Sequence, residues 1–409
     1  MSEIYDCIII GGGASGMMAS IFSAKNGYNT LILEHNEKLG KKLYITGKGR
    51  CNLTNNSSIE NHLQNIVTNS KFMYSALYNF PPNKVMEFFS DAGLKLKTER
   101  GNRVFPASDK SSDLINTLID QMYNYSVKYK LNSEVKPVQK IGKIFYIYCN
   151  NDMIYTTYRL IVSTGGVSYS GTGASKIGYD IARSFGHNII RPKSALCPII
   201  LKEHTVALNG VSLKNVRLTI ILNNGKEFSE FGELLFTYTS LSGPIALALS
   251  SKINKYSLNN AIARIDFKPA LTYEDLDAKF QREFKTFAKK YLRTYIKTLL
   301  PNKFCEYFFV RTGLKNVKLA DLTKENRLHI INLLKKFDFS IKSLDNINVG
   351  IVTSGGVDIK EINSKTCESK LVENLYFTGE VLDVDALTGG YNLQIAWSTA
   401  YLAGNNLKG

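Results

Sequence analysis

A glycine-rich turn near the N-terminus constrains the fold more than any other feature of this sequence. Cys7–Ile10 is an apolar run typical of a strand buried on both faces of a parallel sheet, and it leads directly into Gly11–Gly16, GGGASG. A helical stretch of small and apolar residues follows as far as Asn26. Thr30–Leu33 is a second apolar strand, closed by Glu34. This order of strand, glycine turn, helix and strand predicts a βαβ unit.

The residues of this unit suit the binding of a dinucleotide. Gly11 makes the tight turn, Gly13 lets the backbone approach a pyrophosphate, and Gly16 lets the helix pack closely on the strand. The helix N-terminus offers N–H groups and the positive end of its dipole to the phosphates. Glu34 stands at the end of the second strand and suits the ribose hydroxyls. An acidic residue at this position favours FAD or NAD over NADP.

The C-terminal segment predicts a second approach of the chain to the same ligand. Leu375–Phe377 is a short apolar strand, Gly379 and Glu380 follow it, and a glycine-rich turn leads to a helix that begins near Asn392. Glu380 suits the ribityl hydroxyls of a flavin, and the N–H groups of the closing helix suit the electron-rich pyrimidine end of its ring system. The alternative is a solvent-exposed acidic loop followed by a helix.

Two loops between these segments are further candidates for ligand contacts. Thr46–Asn55, TGKGRCNLTN, has no core periodicity, so that its basic side chains and N–H groups suit a pyrophosphate or a flavin; a plain surface loop is the alternative. Ser163–Gly173 follows a short apolar strand and suits a second contact with the ligand. Its GTG sequence does not form another dinucleotide fingerprint, because no strand precedes it and Lys176 occupies the third glycine position.

The cysteines and histidines do not indicate a metal or a disulfide. The six cysteines lie more than forty residues apart, and the sequence has no CxxC pair and no HExxH motif, so we expect no metal site. Cys51 has no resolving cysteine near it in the sequence, which argues against a redox thiol. Whether Cys51 or Tyr391 has a catalytic role stays open.

The middle of the chain departs from the alternation of strands and helices. Leu196–Lys202, Leu213–Leu222 and Glu227–Phe236 have the character of strands, and Asn224-Gly225 between the last two is a strong hairpin signal. Apolar residues then recur at steps of three and four and predict one long amphipathic helix that Pro301 ends. We expect this apolar stripe to be buried; it comprises Leu276, Phe280, Phe284, Phe287, Tyr291, Tyr295 and Leu299.

Length and charge bound the remaining possibilities. A chain of 409 residues predicts two or three domains. It carries 51 Lys and Arg against 35 Asp and Glu, a formal net charge of +16. Because the lysines are dispersed and no alternation of basic and aromatic residues stands out, we expect a solvated surface and no specific nucleic-acid partner. The absence of a signal peptide and of a long apolar run predicts a cytoplasmic protein without a membrane partner.

Six stretches together carry a resemblance to a known family: IIGGGASG, KLGKKLYITGKGRCNLTN, STGGVSYSGTG, GELLFTYTSLSGP, VTSGGVDIKEI and ESKLVENLYFTGEVLDVDALTGGYNLQIAWS. They span the chain from end to end. The chain resembles the FAD-dependent family that includes BaiN-type 3-dehydro-bile-acid Δ4,6-reductases and aminoacetone oxidase-like proteins, which are NAD(P)/FAD-dependent oxidoreductases. It departs from the family pattern at Ser170, where Pro is usual, and at Lys176–Tyr179, where Gly-Asp-Gly-Tyr is usual.

The resemblance implies an α/β fold of the two-dinucleotide-binding type, with an antiparallel β-barrel-like domain and a small helical domain inserted into a Rossmann-like FAD domain. The expected bounds are 1–192 and 345–409 for the FAD domain, 193–268 and 338–344 for the β domain, and 269–337 for the helical domain. The residues expected to bind FAD are Gly11, Gly13, Ala14, Ser15, Gly16, Glu34, Arg50, Cys51, Asn52, Val135, Gly165, Glu380, Asn392 and Leu393.

The resemblance also implies a function. We expect an oxidoreductase with non-covalent FAD that transfers a hydride through N5 of the flavin, from NAD(P)H to a small apolar enone or a related acceptor. One alternative is an amine or aminoketone oxidase that uses dioxygen. A second alternative is a flavoprotein associated with tRNA. The sequence does not identify the substrate.

Overall fold

The computed structural model describes residues 3–408, apart from the side chain of Asn151, and they form two compact units. Unit 1 takes in the described residues up to Ala195 and from Gly350 onward, and unit 2 is Leu196–Val349. The strands are β1 Ile4–Ile10, β2 Thr30–Leu33, β3 Thr54–Asn55, β4 Leu96–Glu99, β5 Arg103–Pro106, β6 Lys128–Lys130, β7 Val135–Ile141, β8 Ile144–Cys149, β9 Ile154–Val162, β10 Ile189–Ala195, β11 Ile199–Leu201, β12 Ser212–Ile221, β13 Glu227–Phe236, β14 Ser240–Ser242, β15 Ile262–Asp266, β16 Phe337–Leu344, β17 Val352–Val357 and β18 Leu375–Phe377. The helices are α1 Ala14–Lys25, α2 Lys41–Ile45, α3 Ile59–Asn65, α4 Tyr74–Asn79, α5 Pro82–Asp91, α6 Ser111–Asn124, α7 Ile177–Ser184, α8 Pro244–Ile253, α9 Tyr273–Thr286, α10 Leu292–Ile296, α11 Asn302–Thr312, α12 Lys324–Lys335 and α13 Tyr391–Asn405.

The main sheet of unit 1 places both ends of the chain side by side. Its strands run in the order β6-β2-β1-β9-β8-β7, and β18 also pairs with β9. β1 is parallel to β2 and to β9, with Ile9 opposite Ile32 and Ile161. β18 is parallel to β9, whereas β8 and β7 continue the sheet in antiparallel fashion. β2 is buried along its whole length, as expected of a parallel strand covered on both faces.

The first helix lies unusually close to the first strand because two glycines allow it. Gly11 has a φ of +104°, in the left-handed region, and a Cβ there would lie 2.6 Å from the carbonyl oxygen of Ser163. A Cβ on Gly16 would lie 1.8 Å from the carbonyl oxygen of Gly11. The tight turn predicted for Gly11 and the close packing predicted for Gly16 are therefore confirmed.

The last helix, α13, packs on α1 and fastens the TGKGRCNLTN loop to the C-terminus. Trp397 is fully buried and donates its Nε1–H to the carbonyl oxygen of Leu53 at 2.8 Å. The hydroxyl of Thr54 donates to Oε1 of Gln394 at 2.5 Å. Both contacts join residues more than three hundred positions apart, so the loop has its observed conformation only when the C-terminal helix is in place.

Strands β10 and β17 form an antiparallel pair at the point where the chain leaves unit 1 and returns to it. Ala195 lies opposite Val352, and Ile189 lies opposite Val357. The chain therefore leaves unit 1 from one strand of this pair and returns to unit 1 on the neighbouring strand.

Unit 2 is built on a closed barrel with strand order β11-β14-β13-β12-β15-β16. The predicted hairpin is confirmed, since β12 and β13 pair in antiparallel fashion on either side of Asn224-Gly225. Side chains of the barrel and of helices α9–α12 form one hydrophobic core, which includes Phe236, Phe280, Phe304 and Phe339. Within unit 2, the boundaries between a β domain and a helical domain stay a prediction.

The prediction of one long helix between Leu276 and Pro301 is wrong. Helix α9 ends at Thr286, and the separate helix α10 begins at Leu292. The cause is tertiary hydrogen bonding, because the amide of Leu292 donates to the carbonyl oxygen of Val317 at 2.8 Å rather than to a residue one helical turn earlier. The apolar periodicity continues across the break, which is why the sequence pattern did not reveal it.

Two more residues of the predicted stripe differ from expectation as a result of this break. Phe280, Phe284 and Tyr295 are buried in the core of unit 2, as predicted. Phe287 and Tyr291, in the segment that joins the two helices, are 38% and 48% exposed. The stripe is therefore buried only where it lies on the helices themselves.

The packing of α1 on β1 gives the first testable prediction. Gly16→Ala places a methyl group against the backbone of Gly11, and relieving this overlap costs at least about 2 kcal/mol. We expect the melting temperature to fall by roughly 4 °C or more in a thermal unfolding scan. Gly171→Ala is the matched control, because no atom lies within 4 Å of a Cβ built there. Equal melting temperatures for the two variants would contradict the packing argument.

Candidate functional site

The carboxyl ends of β1, β2, β9 and β18 meet at one edge of the sheet in unit 1 and bring most of the predicted residues together. The four strands are parallel neighbours in the order β2-β1-β9-β18. The glycine turn follows β1, Glu34 follows β2, Gly165 follows β9, and Glu380 follows β18. In open α/β sheets, ligands bind outside this edge, where the connections diverge to either side.

The N-terminus of α1 has the properties of a phosphate site. Gly13 precedes the helix, and no side chain caps the N–H groups of the first turn, to which Ala14 and Ser15 belong. No atom lies within 4 Å of a Cβ built on Gly13. The backbone of Gly13 is extended, with φ −81° and ψ −167°, so this glycine serves close approach rather than an unusual conformation. A pyrophosphate bound here would meet free N–H groups and the positive end of the helix dipole.

A buried cluster of hydroxyls holds three segments of this edge in place. The Ser15 hydroxyl donates to Oγ1 of Thr378 at 2.7 Å, and the hydroxyls of Ser163 and Thr378 also lie 2.7 Å apart. All three side chains are buried. The side chain of Ser15 is thereby directed into the protein, which leaves its backbone N–H as the group that a ligand meets.

Glu34, at the end of β2, has a carboxylate that hydrogen bonds from two backbone amides hold in position. Oε2 accepts from the amide of Gly12 at 2.6 Å, and Oε1 accepts from the amide of Asn36 at 2.8 Å. Burial raises the pKa of Glu34, but His35 and the two amides outweigh this effect and place its pKa below the usual value. The carbonyl oxygen of Glu34 accepts from the amide of Ser133, two residues before Val135. The structure therefore places the segment of Val135 beside the predicted ribose-binding carboxylate.

Glu380 lies in a polar cluster with Ser168, which belongs to the predicted Ser163–Gly173 loop, and with Lys42 and Thr353, which the sequence reasoning did not single out. Oε2 pairs with Nζ of Lys42 at 2.8 Å, and Oε1 accepts from the amide of Thr353 at 2.8 Å and from the Ser168 hydroxyl at 3.2 Å. Burial raises the pKa of Glu380, but Lys42, Thr353 and Ser168 outweigh it, and the pKa is lowered. Glu380 is therefore an anion at neutral pH. Lys42 gave no signal beyond its place in the KLGKKLYITGKGRCNLTN stretch.

The TGKGRCNLTN loop combines a neutral thiol with an unpartnered amide. Cys51 is fully buried with a φ of +59°, and burial raises the pKa of its thiol to about 12. This thiol is therefore protonated at neutral pH and unsuited to thiolate chemistry. Oδ1 of Asn52 is buried and has no hydrogen-bond partner within the described part of the chain. An orphaned buried acceptor of this kind is what a bound ligand would satisfy.

The side chain of Arg50 forms a separate cluster with two carboxylates and an aromatic ring. Its guanidinium donates to Glu99 at 2.9 Å and to Asp109 at 3.0 Å, and it lies 4.1 Å from the ring centroid of Phe105. These contacts neutralise the charge of Arg50 and fix the loop to β4 and β5. The observed partners of the Arg50 side chain are thus Glu99, Asp109 and Phe105.

The N-terminus of α13, like that of α1, has no side-chain cap. Gly390 precedes it with a φ of +101°, and a Cβ there would lie 2.3 Å from the backbone of Thr54. The side chain of Asn392 donates to the carbonyl oxygen of Ala386 at 2.8 Å and accepts from the amide of the same residue at 2.9 Å. Because Asn392 bonds its own loop, the first N–H groups of the helix, up to Leu393, have no side-chain cap. They suit the pyrimidine end of a flavin.

Comparison with known proteins decides the family. The family described as HI0933-like protein Rossmann domain matches residues 5–406. This chain belongs to that family. Two ribosomal RNA dihydrouridine synthases are similar to it over its whole length: that of Haemophilus influenzae is 32% identical, with 98% of both chains covered, and that of Escherichia coli is 31% identical, with 99% and 98% covered. A 3-dehydro-bile acid delta(4,6)-reductase of Clostridium scindens is 29% identical, with 97% of both chains covered.

A solved structure supports the fold. The open conformation of a flavocytochrome c3 fumarate reductase is similar with a TM-score of 0.54 at 16% identity, over 99% of this chain and 78% of that chain. The predicted fold class and the predicted resemblance are confirmed, and the chain is an enzyme of the FAD-dependent oxidoreductase class. Within residues 3–408, no helix has the length and apolar composition needed to cross a membrane. The same residues contain no group of three or more His, Cys, Asp or Glu side chains arranged for a metal ion.

The different environments of Glu34 and Cys51 give a prediction about FAD affinity. Glu34→Gln removes an anion that accepts charge-assisted hydrogen bonds, each worth about 1.5–3 kcal/mol, so we expect FAD to bind at least about tenfold more weakly. Cys51→Ser leaves the backbone contacts in place, and we expect its FAD affinity to stay within about threefold. Flavin fluorescence titration of the apoprotein measures both. Glu37→Gln, an exposed carboxylate on the same loop, is the control.

The opposite order of effects would contradict this assignment. If Cys51→Ser abolishes turnover while FAD remains bound, the neutral thiol has a catalytic role that its burial does not suggest.

Proposed function

We propose that this protein is a reductase with non-covalent FAD that adds hydride to a carbon–carbon double bond conjugated to a carbonyl group, with NAD(P)H as the donor. The proposed substrate is a uridine of ribosomal RNA. Bound FAD supplies the hydride chemistry at N5, and the residues of the chain bind and orient it. Glu34 holds the ribose, the N-terminus of α1 holds the pyrophosphate, and Asn52 with the N-terminus of α13 lies at the flavin end.

The proposed reaction type rests on what the reactions of the three relatives have in common, the reduction of an alkene conjugated to a carbonyl group. Dihydrouridine is uridine with hydrogen added across C5 and C6 of uracil, a double bond conjugated to the C4 carbonyl. A 3-dehydro-bile acid with double bonds at positions 4 and 6 likewise has an alkene conjugated to a ketone. The proposed reaction balances as NAD(P)H, a proton and uridine giving NAD(P)⁺ and dihydrouridine. The relatives span essentially the same length as this chain.

The distribution of charge favours RNA over a small apolar substrate. Residues 196–349, which form unit 2, carry 24 Lys and Arg against 14 Asp and Glu, so that +10 of the formal net charge of +16 lies on this unit. Binding of a small uncharged enone does not require a concentration of positive charge, whereas binding of the RNA phosphates does. This proposal replaces the expectation of a merely solvated basic surface.

A second candidate is a reductase of a small apolar enone, which the relative from Clostridium scindens favours. The two candidates share the flavin site and differ only in the acceptor. An amine oxidase differs from both, because it consumes dioxygen in the presence of an amine and needs no NAD(P)H.

The state of the flavin is the first test of this proposal. We expect the protein to purify yellow and to release FAD, and not FMN, on denaturation. Gly13→Val fills the space next to the α1 N-terminus without straining the extended backbone, so we expect soluble, folded protein with less than about a tenth of the flavin content. Absorbance spectroscopy and circular dichroism measure the two properties. If this variant still binds one FAD per protein, the pyrophosphate does not bind at the N-terminus of α1.

Turnover is the second test. The holoenzyme is reduced anaerobically with NADH or NADPH and supplied with ribosomal RNA transcribed in vitro, which carries no modified nucleosides. We expect dihydrouridine in the nuclease digest by mass spectrometry, and none with the Gly13→Val protein. Reoxidation of the flavin by 3-keto-4-ene steroids without dihydrouridine in the RNA would establish the second candidate instead. Oxygen uptake driven by small amines would establish the oxidase.

A further inference from the structure

The segment between helices α9 and α10 forms a hydrogen-bonded platform on the surface of unit 2. The platform is residues 287–291 together with residues 315–318. The two strands of chain are joined by backbone hydrogen bonds, from Leu292 to Val317 at 2.8 Å and from Leu319 to Lys290 at 2.9 Å, with an antiparallel bridge between Tyr291 and Lys318. These contacts hold the backbones of the two segments side by side, so that the side chains of both segments are presented on neighbouring stretches of chain.

The platform and the end of α9 carry a group of cations without carboxylate partners. All six are exposed, and within the described residues none forms an ion pair. Nearby basic residues behave differently, since Arg293 and Lys297 both pair with Glu306. The unpaired cations are Arg282, Lys285, Lys289, Lys290, Lys315 and Lys318.

The acidic groups next to the platform are few and mostly engaged. Oε2 of Glu283 accepts a hydrogen bond from the hydroxyl of Tyr295, and Nζ of Lys279 lies 3.8 Å from Oε1 of Glu283. Asp321, which follows Lys318 by three residues, is exposed. The platform therefore has a net positive charge that the surrounding carboxylates do not cancel.

Two exposed aromatic rings lie among these cations. The sequence of the turn is Phe287-Ala288-Lys289-Lys290-Tyr291, and both rings are accessible to solvent. Nζ of Lys290 lies 4.1 Å from the ring centroid of Phe287. This is the alternation of basic and aromatic residues that the sequence analysis did not find, because the predicted helix assigned both rings to the core. Exposed rings beside unpaired lysines suit stacked bases flanked by phosphates.

We propose that this platform binds a single-stranded segment of the substrate RNA, with Phe287 and Tyr291 stacking on bases and the lysines contacting phosphates. The inference rests on the proposed function, which supplies an RNA substrate. A membrane surface fits less well, because the platform is a short turn with two rings rather than an amphipathic helix with an extended apolar face. An acidic peptide explains the lysines and leaves the exposed rings without a use.

The test measures binding of the holoenzyme to a fluorescently labelled oligouridylate of about 20 nucleotides by anisotropy, over a series of salt concentrations. Lys289→Glu/Lys290→Glu should weaken binding at least about tenfold, and the slope of log K against log salt should fall by about 0.7 for each phosphate that the substituted side chains no longer neutralise. Phe287→Ala/Tyr291→Ala should weaken binding roughly fivefold or more and leave the salt slope unchanged.

A matched control separates the platform from net charge. Lys214→Glu/Lys255→Glu makes the same change in charge, with Lys214 on β12 and Lys255 after α8, outside the platform. We expect it to bind the oligonucleotide within about twofold of the unaltered protein. Melting temperature and FAD content verify that all three variants are folded.

Four outcomes would overturn the proposal or separate it from the proposed function. Unchanged binding by both platform variants refutes the platform even if dihydrouridine forms. If the control variant and the platform variants bind equally weakly, net charge alone explains the loss of binding, and the platform is refuted as well. Binding to anionic phosphatidylserine vesicles, but not to the oligonucleotide, assigns the surface to a membrane instead. Platform-dependent RNA binding without dihydrouridine formation leaves the platform standing and overturns only the proposed function.

Discussion

The buried hydroxyl of Thr378 is the contact on which the functional edge of unit 1 depends. It bonds the first turn of α1 through Ser15 and the end of β9 through Ser163, and it comes from the segment that follows β18. Three parts of the chain that are far apart in sequence are thereby fixed at hydrogen-bond distance. Parallel pairing of β1, β9 and β18 brings the glycine turn, Gly165 and Glu380 to one edge, and the hydroxyl contact adds a bond between the segments that carry them. A buried polar cluster of this kind stabilises one arrangement only when every member is bonded.

The parts of the site that could be predicted are those that short stretches of sequence determine. The turn of Gly11–Gly16 and Glu34 were recognisable because strand, turn, helix and strand follow one another directly, and each residue type has a local reason. The ion pair of Glu380 was not recognisable, because its partner Lys42 lies 338 positions away in the sequence and no local pattern marks Lys42. The ion pairs of Arg50 could not be predicted either, because Glu99 and Asp109 come from a strand and a loop about fifty to sixty positions away.

The break between α9 and α10 shows the same limit for secondary structure. Neither Pro nor Gly lies between Thr286 and Leu292, and the apolar spacing is continuous. What ends the helix is a backbone ladder with residues 317–320, a contact that periodicity cannot report. The difference bears on the proposed RNA platform, because two aromatic rings that the periodicity assigned to the core are exposed among lysines. Composition then suggested a charge spread evenly over the protein, whereas most of the excess lies on unit 2.

The β10–β17 pair bears on how a long insertion is accommodated in unit 1. With Ala195 opposite Val352, the whole of unit 2 takes the position of the loop in a two-stranded hairpin. The entropy of closing a loop grows only slowly with its length, and here the ladder already holds the two ends together. The length of the segment inserted between β10 and β17 therefore places little constraint on the pairing of these two strands. A whole domain can stand where a short turn would otherwise close the hairpin.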